Sequence, residues 1–175
     1  HQSTALAQQM AEQTARLQHR DQQLQRSVSI SQSTSNILNL DDLLKDIVYT
    51  LRDQFGFYFV AIYLINQAET KLVLTEAAGT IGEKMKNKHF QLEINTKSMI
   101  GWVAQNQKAR IARDVQDDPI YYRDPLLGET RSETALPLIA RGKLLGVLDV
   151  QSRDLNAFPE EDVANLQIMA NQLAV

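Results

Sequence analysis

The chain has 175 residues, of which 43% are hydrophobic, so it is long and apolar enough for one folded domain with an appended segment. The net charge of −3 and the lack of any long block of like charge argue against nucleic acid and an anionic membrane surface as partners. The absence of cysteine excludes disulfides, thiolate metal sites and thiol nucleophiles, and it fits a cytoplasmic protein.

The N-terminal segment predicts a long helix, because residues 2–36 contain neither Gly nor Pro and are rich in Gln, Ala, Ser and Arg. Apolar residues recur there at heptad spacing, while the alternate seam positions are mixed. Such a pattern favours a helix that pairs in a coiled-coil-like homodimer over a lone solvated helix. The predicted dimer contacts are Met10, Leu17, Leu24 and Leu38.

A second helix is predicted from a cap at Asn39 through Phe55, with apolar residues at helical spacing and Gly56 as its stop signal. We therefore place the boundary between the appended helix and the globular domain directly before Asn39. The N-terminal helix is expected to occupy residues 1–38 and the domain residues 39–175.

Several strands are predicted in the first half of the domain. Residues 57–65 form a nearly unbroken apolar run of β-branched and aromatic residues, which predicts a strand buried on both faces. Further strands are predicted at 71–78, 89–94 and 110–112. Between the last two, Ser98 is placed to cap a short helix.

Residues 114–130 are polar and rich in turn residues, and they predict either a flexible loop or a lid over a site. A hairpin follows over residues 132–152 and turns at Arg141–Gly142. Large apolar residues occupy both odd and even positions of its strands, which point to opposite faces of a sheet. Strands of this kind must be covered on both faces. Pro137 is predicted to mark a bulge, because it cannot donate a ladder hydrogen bond.

The final helix is predicted to begin at Pro159, because the acidic residues that follow suit the positive end of a helix. Its apolar stripe runs to Leu173, and no glycine or cap ends it. We expect this helix to continue into another domain of a longer protein.

Four motifs in this order resemble the GAF domain family. Residues 98–103 (SMIGWV) resemble its Ser-x-x-Gly-x-Val helix, and Asp114 stands where the next strand often ends. Residues 131–152 resemble the central hairpin, and residues 157–162 (AFPEED) resemble the opening of the last helix. Together the motifs extend the resemblance over most of the chain after the first helix.

The resemblance implies an α+β, PAS-related fold with a six-stranded antiparallel sheet and the terminal helices on one face. Short helices and loops would roof the other face over a small-molecule pocket. Candidate ligand contacts are aromatic, arginine and polar side chains of the roof helix, the lid and the hairpin, unless the tyrosines only anchor a solvated loop. They are Trp102, Arg113, Asp114, Tyr121, Tyr122, Arg123, Arg131, Ser132 and Thr134.

The sequence gives little support to cofactor or metal chemistry. His19 and His89 lie in different elements without a metal-binding spacing, and a surface histidine is favoured for His89 over a haem ligand. Within the family, bilin attachment and free-methionine sulfoxide reduction depend on cysteines, which this chain lacks. Ser152 stands where cyclic-nucleotide-binding members carry lysine, so Asp162 lacks the ion-pair partner that those members use.

These observations favour a regulatory GAF domain that senses an unidentified small molecule within a larger signalling protein, such as a bacterial sensor histidine kinase. Ligand state would pass through the paired terminal helices of a homodimer. The alternative is a GAF domain without a ligand that serves as a dimerising spacer. Catalysis is not expected, since no nucleophile motif is present, and no apolar run approaches the roughly 18 residues that a membrane span needs.

Overall fold

The computed structural model describes residues 2–28 and 34–174, and it places the side chains of residues 4–17 and 40–174. No helix in this described part is long and apolar enough to cross a membrane. A short 3-10 turn lies at Pro125–Leu127. In chain order the helices and strands are α1 Gln2–Val28, α2 Thr34–Phe55, β1 Phe59–Ile65, β2 Lys71–Ala77, α3 Gly79–Asn87, β3 Gln91–Glu93, α4 Met99–Asn106, β4 Arg110–Ala112, β5 Ser132–Ala140, β6 Lys143–Ser152 and α5 Glu160–Leu173.

The strands form one six-stranded antiparallel sheet in the order β3-β2-β1-β6-β5-β4. Its central hairpin turns at Arg141 and Gly142, whose φ angles of 53° and 75° are those that a tight two-residue turn requires. Helices cover both faces of the sheet. The predicted fold class is confirmed, and so is the inference that two-sided apolar strands are covered on both sides.

One side of the sheet, the helix face, is covered by α2 and α5. The buried apolar side chains of its core come mainly from these helices and from β1, β5 and β6. The residues of this core that come from the two helices and three strands include Leu44, Ile47, Val48, Leu51, Val60, Ile62, Leu136, Leu138, Leu148, Val150, Val163, Leu166, Met169 and Ala170.

The other side, the roof face, is covered by the roof, which consists of α3, α4 and the lid at residues 114–130. Alternate residues of β1 serve the two faces: Val60 and Ile62 enter the helix-face core, while Ala61 and Tyr63 enter the roof-face core. The roof-face core also includes Phe59, Leu72, Leu74, Met85, Met99, Ile100, Val103, Ala135 and Val147.

Helix α1 packs against α5 of the same chain. Met10 is 2% exposed and belongs to the helix-face core, against which Leu6 and Leu17 also pack. The first part of the heptad stripe therefore makes contacts within one chain. The side chains of the other predicted dimer contacts, Leu24 and Leu38, lie outside the described residues, and the homodimer stays a prediction.

Two helices differ from the sequence prediction. Asn39 does not cap a helix but lies inside α2, which begins at Thr34, because no Gly or Pro interrupts the chain between these residues. Helix α3 was not predicted, since it contains two glycines and has no side-chain cap. It forms because Ile81 and Met85, one turn apart, pack onto the roof-face core.

Pro137 lies in the middle of β5 without breaking the sheet. The edge strand β4 pairs with β5 only as far as Ala135, and the Pro137 carbonyl accepts a hydrogen bond of 3.1 Å from Gln167 Nε2 on α5. Since a strand residue directs its N–H and C=O toward the same neighbour, the missing N–H faces this open edge. The predicted irregularity follows as a register shift between the next two residues of β5.

Candidate functional site

Three polar side chains of the central hairpin project from the roof face. Glu133 lies opposite Gln151, and Asp149 lies opposite Ala135, whose side chain belongs to the roof-face core. Because strand residues two apart share a face, Glu133, Asp149 and Gln151 all point toward the roof. None of the three is more than 4% exposed.

Gln151 joins the two carboxyl groups. Its Nε2 donates to Glu133 Oε2 at 2.9 Å and to Asp149 Oδ2 at 2.8 Å. Its Oε1 accepts a hydrogen bond of 2.7 Å from the hydroxyl of Thr130. This last bond fixes the orientation of the amide, because only its NH₂ end donates.

Burial and mutual repulsion oppose ionisation of both carboxyl groups at once. Burial raises the pKa of Glu133 well above its usual value, and the adjacent charge of Asp149 raises that pKa further. Burial also raises the pKa of Asp149, while hydrogen bonds from Glu133 and Gln151 oppose this rise. Glu133 is therefore the member of the pair with the stronger preference for its protonated form. Apart from the hydrogen bond between Glu133 and Asp149, Asp149 Oδ1 has no hydrogen-bond partner within the described residues.

Two tyrosines adjoin the carboxyl pair. Burial raises the pKa of Tyr63 well above its usual value, and the charges of Asp149 and Glu133 raise it further. Burial and the charge of Glu133 raise the pKa of Tyr121 to about 12, and the Tyr121 hydroxyl is hydrogen-bonded to Thr130. Both phenols are therefore neutral at physiological pH and present hydroxyl oxygens that accept hydrogen bonds.

A small cavity lies between this polar group and the roof. Its volume is about 20 Å³, and its lining includes Tyr63, Met99, Tyr122, Glu133 and Gln151. A cavity of this size holds one water molecule or a group of similar size, such as an ammonium. The cavity is much smaller than the small-molecule pocket that the resemblance implies, which stays a prediction.

Arg110 connects the roof helix α4 to the lid. Its Nη2 lies 3.2 Å from both carboxylate oxygens of Asp118, and its guanidinium carbon lies 5.1 Å from the centre of the Trp102 ring. Its Nε donates to the sulfur of Met99, which lines the cavity. The charge of Asp118 also raises the pKa of Glu133, so this ion pair lies within electrostatic reach of the carboxyl pair.

Comparison with known proteins identifies the family. A family model described as GAF domain matches residues 38–175 of the chain. The chain belongs to the GAF domain family. GAF domain-containing protein A of Dictyostelium discoideum is 34% identical over 119 residues, which are 68% of this chain and 69% of that protein.

Solved structures share the fold of this GAF domain. The GAF domain of a phosphoenolpyruvate-protein phosphotransferase from Coxiella burnetii has a TM-score of 0.71 at 20% identity, and the match covers 98% of this chain and 90% of that one. A free methionine-R-sulfoxide reductase from Neisseria meningitidis, solved in complex with its substrate, has a TM-score of 0.66 at 24% identity. That match covers 77% of this chain and 75% of the reductase.

Three of the predicted ligand residues lie at the roof of the GAF domain. Tyr122 lines the cavity, and its ring centre lies 5.7 Å from that of Phe90. Tyr121 reaches the carboxyl network through Thr130. Trp102 stacks on Arg110. Of these three aromatic residues, Tyr122 lines the cavity, whereas Tyr121 and Trp102 are not among its lining residues.

The predicted charged residues lie elsewhere, and none of the four lines the cavity. Arg113 is exposed and lies 3.7 Å from Glu160, and Asp114 accepts a backbone hydrogen bond within its own turn. Arg123 is exposed. Arg131 is half-buried, and its Nε has no hydrogen-bond partner within the described residues.

Ser132 and Thr134 lie on the helix face, so placing them beneath the roof is wrong. Thr134 pairs with Val150 of the helix-face core, and the Ser132 hydroxyl donates to the Asp154 carbonyl. The reason is strand parity: the residue between them, Glu133, is the one that faces the roof.

Sequence reasoning missed Glu133, Asp149, Gln151 and Arg110 as site residues. A signal was available, because two carboxylates occur inside strands that are apolar on both faces. A buried polar side chain is more informative than a buried apolar one, since it must be hydrogen-bonded or neutralised. Their shared face, in contrast, depends on the pairing register of β5 with β6.

Proposed function

We propose that this GAF domain is the ligand-sensing module of a larger signalling protein and that it binds a small molecule with a positively charged amino group. One observation carries the proposal. The carboxyl groups of Glu133 and Asp149 are almost completely buried, Glu133 lines a cavity, and within the described residues Asp149 Oδ1 has no hydrogen-bond partner other than Glu133. A buried charge costs free energy unless a partner satisfies it.

An ammonium group matches the chemistry of this pair. The pair with one proton carries a single negative charge, which the single positive charge of an ammonium balances. An ammonium has three N–H donors and no acceptor, so it suits a site whose unused groups are oxygens. The hydroxyl oxygen of Tyr63, a residue that lines the cavity, supplies a further acceptor. Attraction between the charges is strong because water is excluded.

The remainder of such a ligand needs space that the lid now occupies. Tyr122 and Leu127 line the cavity from the lid, and Tyr122 is 45% exposed. The lid contains one short 3-10 turn and no longer element, and loops of this kind rearrange when they close over ligands. Ligand entry therefore requires residues 114–130 to move.

We further propose that the parent protein is a cytoplasmic bacterial sensor histidine kinase of a two-component system, which signals as a homodimer through coiled-coil-like helices. The contacts between site and helices support this. Strand β5, which carries Glu133, packs against α5, where Gln167 bonds to Pro137, and α1 packs on α5. A ligand shifts these helices only if it binds one packing more tightly than another.

Thermal unfolding with a panel of primary amines and amino acids tests the ligand proposal. A ligand present at a hundred times its Kd raises the free energy of unfolding by about 2.7 kcal/mol. We expect Asp149→Asn to abolish the stabilisation, because it removes the charge while keeping the shape. The control is Asp53→Asn on the exposed end of α2, which should leave it unchanged. Stabilisation that survives Asp149→Asn contradicts the proposed site.

A ligand-free dimerising spacer is the second candidate, and the small cavity of about 20 Å³ favours it. Two measurements separate the candidates. The spacer predicts a dimer in sedimentation velocity and no stabilisation by amines, amino acids, nitrate, cyclic nucleotides or haem. Stabilisation by an amine that depends on Asp149 excludes the spacer.

A further inference from the structure

Arg110 and Asp118 form an ion pair beside the buried carboxyl pair. Their side chains are 24% and 9% exposed. Arg110 pairs with Ala135, and Ala135 pairs with Asp149, so Arg110 and Asp149 lie in one row on the roof face. Two strand spacings separate their backbones by about 10 Å, a distance that an arginine side chain and a small ligand span together.

The ion pair with Asp118 leaves most of the hydrogen-bonding capacity of the Arg110 guanidinium unused. Arginine offers five N–H donors in a planar fork that matches a carboxylate with two parallel hydrogen bonds. Here one nitrogen, Nη2, is shared between both oxygens of Asp118 at 3.2 Å, which is long for a charge-assisted bond. The Nε is bonded to the thioether of Met99, a weak acceptor. A freely oriented carboxylate has a better geometry available at Arg110.

We propose that Arg110 binds the carboxylate of an α-amino-acid ligand, and that Asp118 takes the place of this carboxylate when no ligand is bound. The inference rests on the ammonium site of the proposed function. The ligand's ammonium binds Glu133 and Asp149, its carboxylate takes the fork of Arg110, and its side chain displaces the lid from the cavity. Asp118 is therefore an internal competitor of the ligand.

Two contacts tie this exchange to the cavity and to the lid. On one side, Arg110 touches Met99, which lines the cavity. On the other side, Asp118 Oδ1 accepts a hydrogen bond of 3.0 Å from the backbone N–H of Ile120, in the turn that leads to Tyr122. Release of Asp118 therefore frees the part of the lid that lines the cavity.

Isothermal titration with paired probes tests the exchange. Each proteinogenic L-amino acid is compared with the primary amine that lacks its carboxylate. For an amino acid that binds, we expect the matching amine to bind about tenfold or more weakly, which corresponds to about 1.4 kcal/mol. Arg110→Gln should lower the affinity for the amino acid to that for the amine, and it should not weaken amine binding. Arg153→Gln, in an exposed ion pair, is the matched control.

Asp118→Asn supplies a readout that misfolding cannot imitate. By weakening the internal competitor, it should tighten amino-acid binding several-fold, and by a larger factor than it changes amine binding. Equal affinities for amine and amino acid, or an equal loss of both in Arg110→Gln, overturn the exchange but leave the ammonium site intact. If neither amines nor amino acids bind, the proposed function fails as well.

Discussion

The two faces of the sheet are built on different principles although the same strands form both. The helix face is packed with apolar side chains against α2 and α5. The roof face carries a buried pair of carboxyl groups, an amide and two tyrosines among its apolar residues. Apolar packing stabilises a fold without burying hydrogen-bonding groups that need partners, whereas a buried polar network stabilises it only when every group is satisfied. The contrast predicts that substitutions under the helices change mainly stability, whereas the proposed ligand binding depends on the roof face.

The largest effect on stability is expected from the helix face. Leu166 of α5 is completely buried in its core. Leu166→Ala should lower the free energy of unfolding by about 2–5 kcal/mol, because it removes buried methyl groups and leaves a cavity. Urea denaturation measures the loss. Ligand affinity in the folded protein should not change, and a large change would show that the two faces are not independent.

The next largest expected effect is a pH dependence of stability that arises at the roof face. A carboxyl group whose pKa is raised by folding keeps a proton that the unfolded chain loses, so stability falls as pH rises from the ordinary carboxyl pKa toward the folded one. The raised pKa of Glu133 predicts such a fall for the wild type. Glu133→Gln should flatten the melting temperature between about pH 5 and 8.

The melting temperature across this pH range is measured by circular dichroism. The control is Glu129→Gln, since this lid carboxylate is exposed and should keep the wild-type slope. A variant Glu133→Gln with an unchanged slope would mean that other groups cause the pH dependence.

A smaller effect is expected at the start of α4. The Ser98 hydroxyl accepts a hydrogen bond of 2.9 Å from the backbone N–H of Gly101 and so caps this roof helix. Ser98→Ala should cost about 1 kcal/mol in chemical denaturation, whereas Ser98→Thr keeps the cap. An equal loss in both variants would assign the effect to packing instead.

The smallest effect is expected at the surface of the lid. Glu129 lies 3.1 Å from Arg153, and both side chains are more than 60% exposed, at 67% and 64%. Glu129→Gln should change the free energy of unfolding by less than about 0.5 kcal/mol, because solvent screens such pairs. A loss comparable with that of Leu166→Ala would contradict the division between the two faces.

Local signals in the sequence predicted local structure well. The cap at Ser98, the hairpin turn at Arg141–Gly142 and the irregularity after Pro137 depend on a few neighbouring residues, and the structure confirms all three. Helix α3 escaped prediction because tertiary packing of Ile81 and Met85, rather than propensity, stabilises it.

The site was harder to predict because it depends on which strand face lies under the roof. In β5 both parities are apolar, so the pattern alone does not distinguish the side of Glu133 from that of Ser132 and Thr134. Only the pairing of Glu133 with Gln151, and of Asp149 with Ala135, assigns the sides. Long-range register therefore decides the site, whereas the fold class was predicted from the resemblance of four short motifs to the GAF domain family.

The neutral amide of Gln151 limits the net negative charge of the site. With an uncharged side chain between them, the two carboxyl groups present one negative charge when either of them is protonated. A carboxylate at position 151 would add a further charge and a third carboxyl group, a set that hard divalent cations prefer. Exchange of a single nitrogen for oxygen, as in Gln151→Glu, would thus move the preference proposed for this site from organic cations toward metal ions.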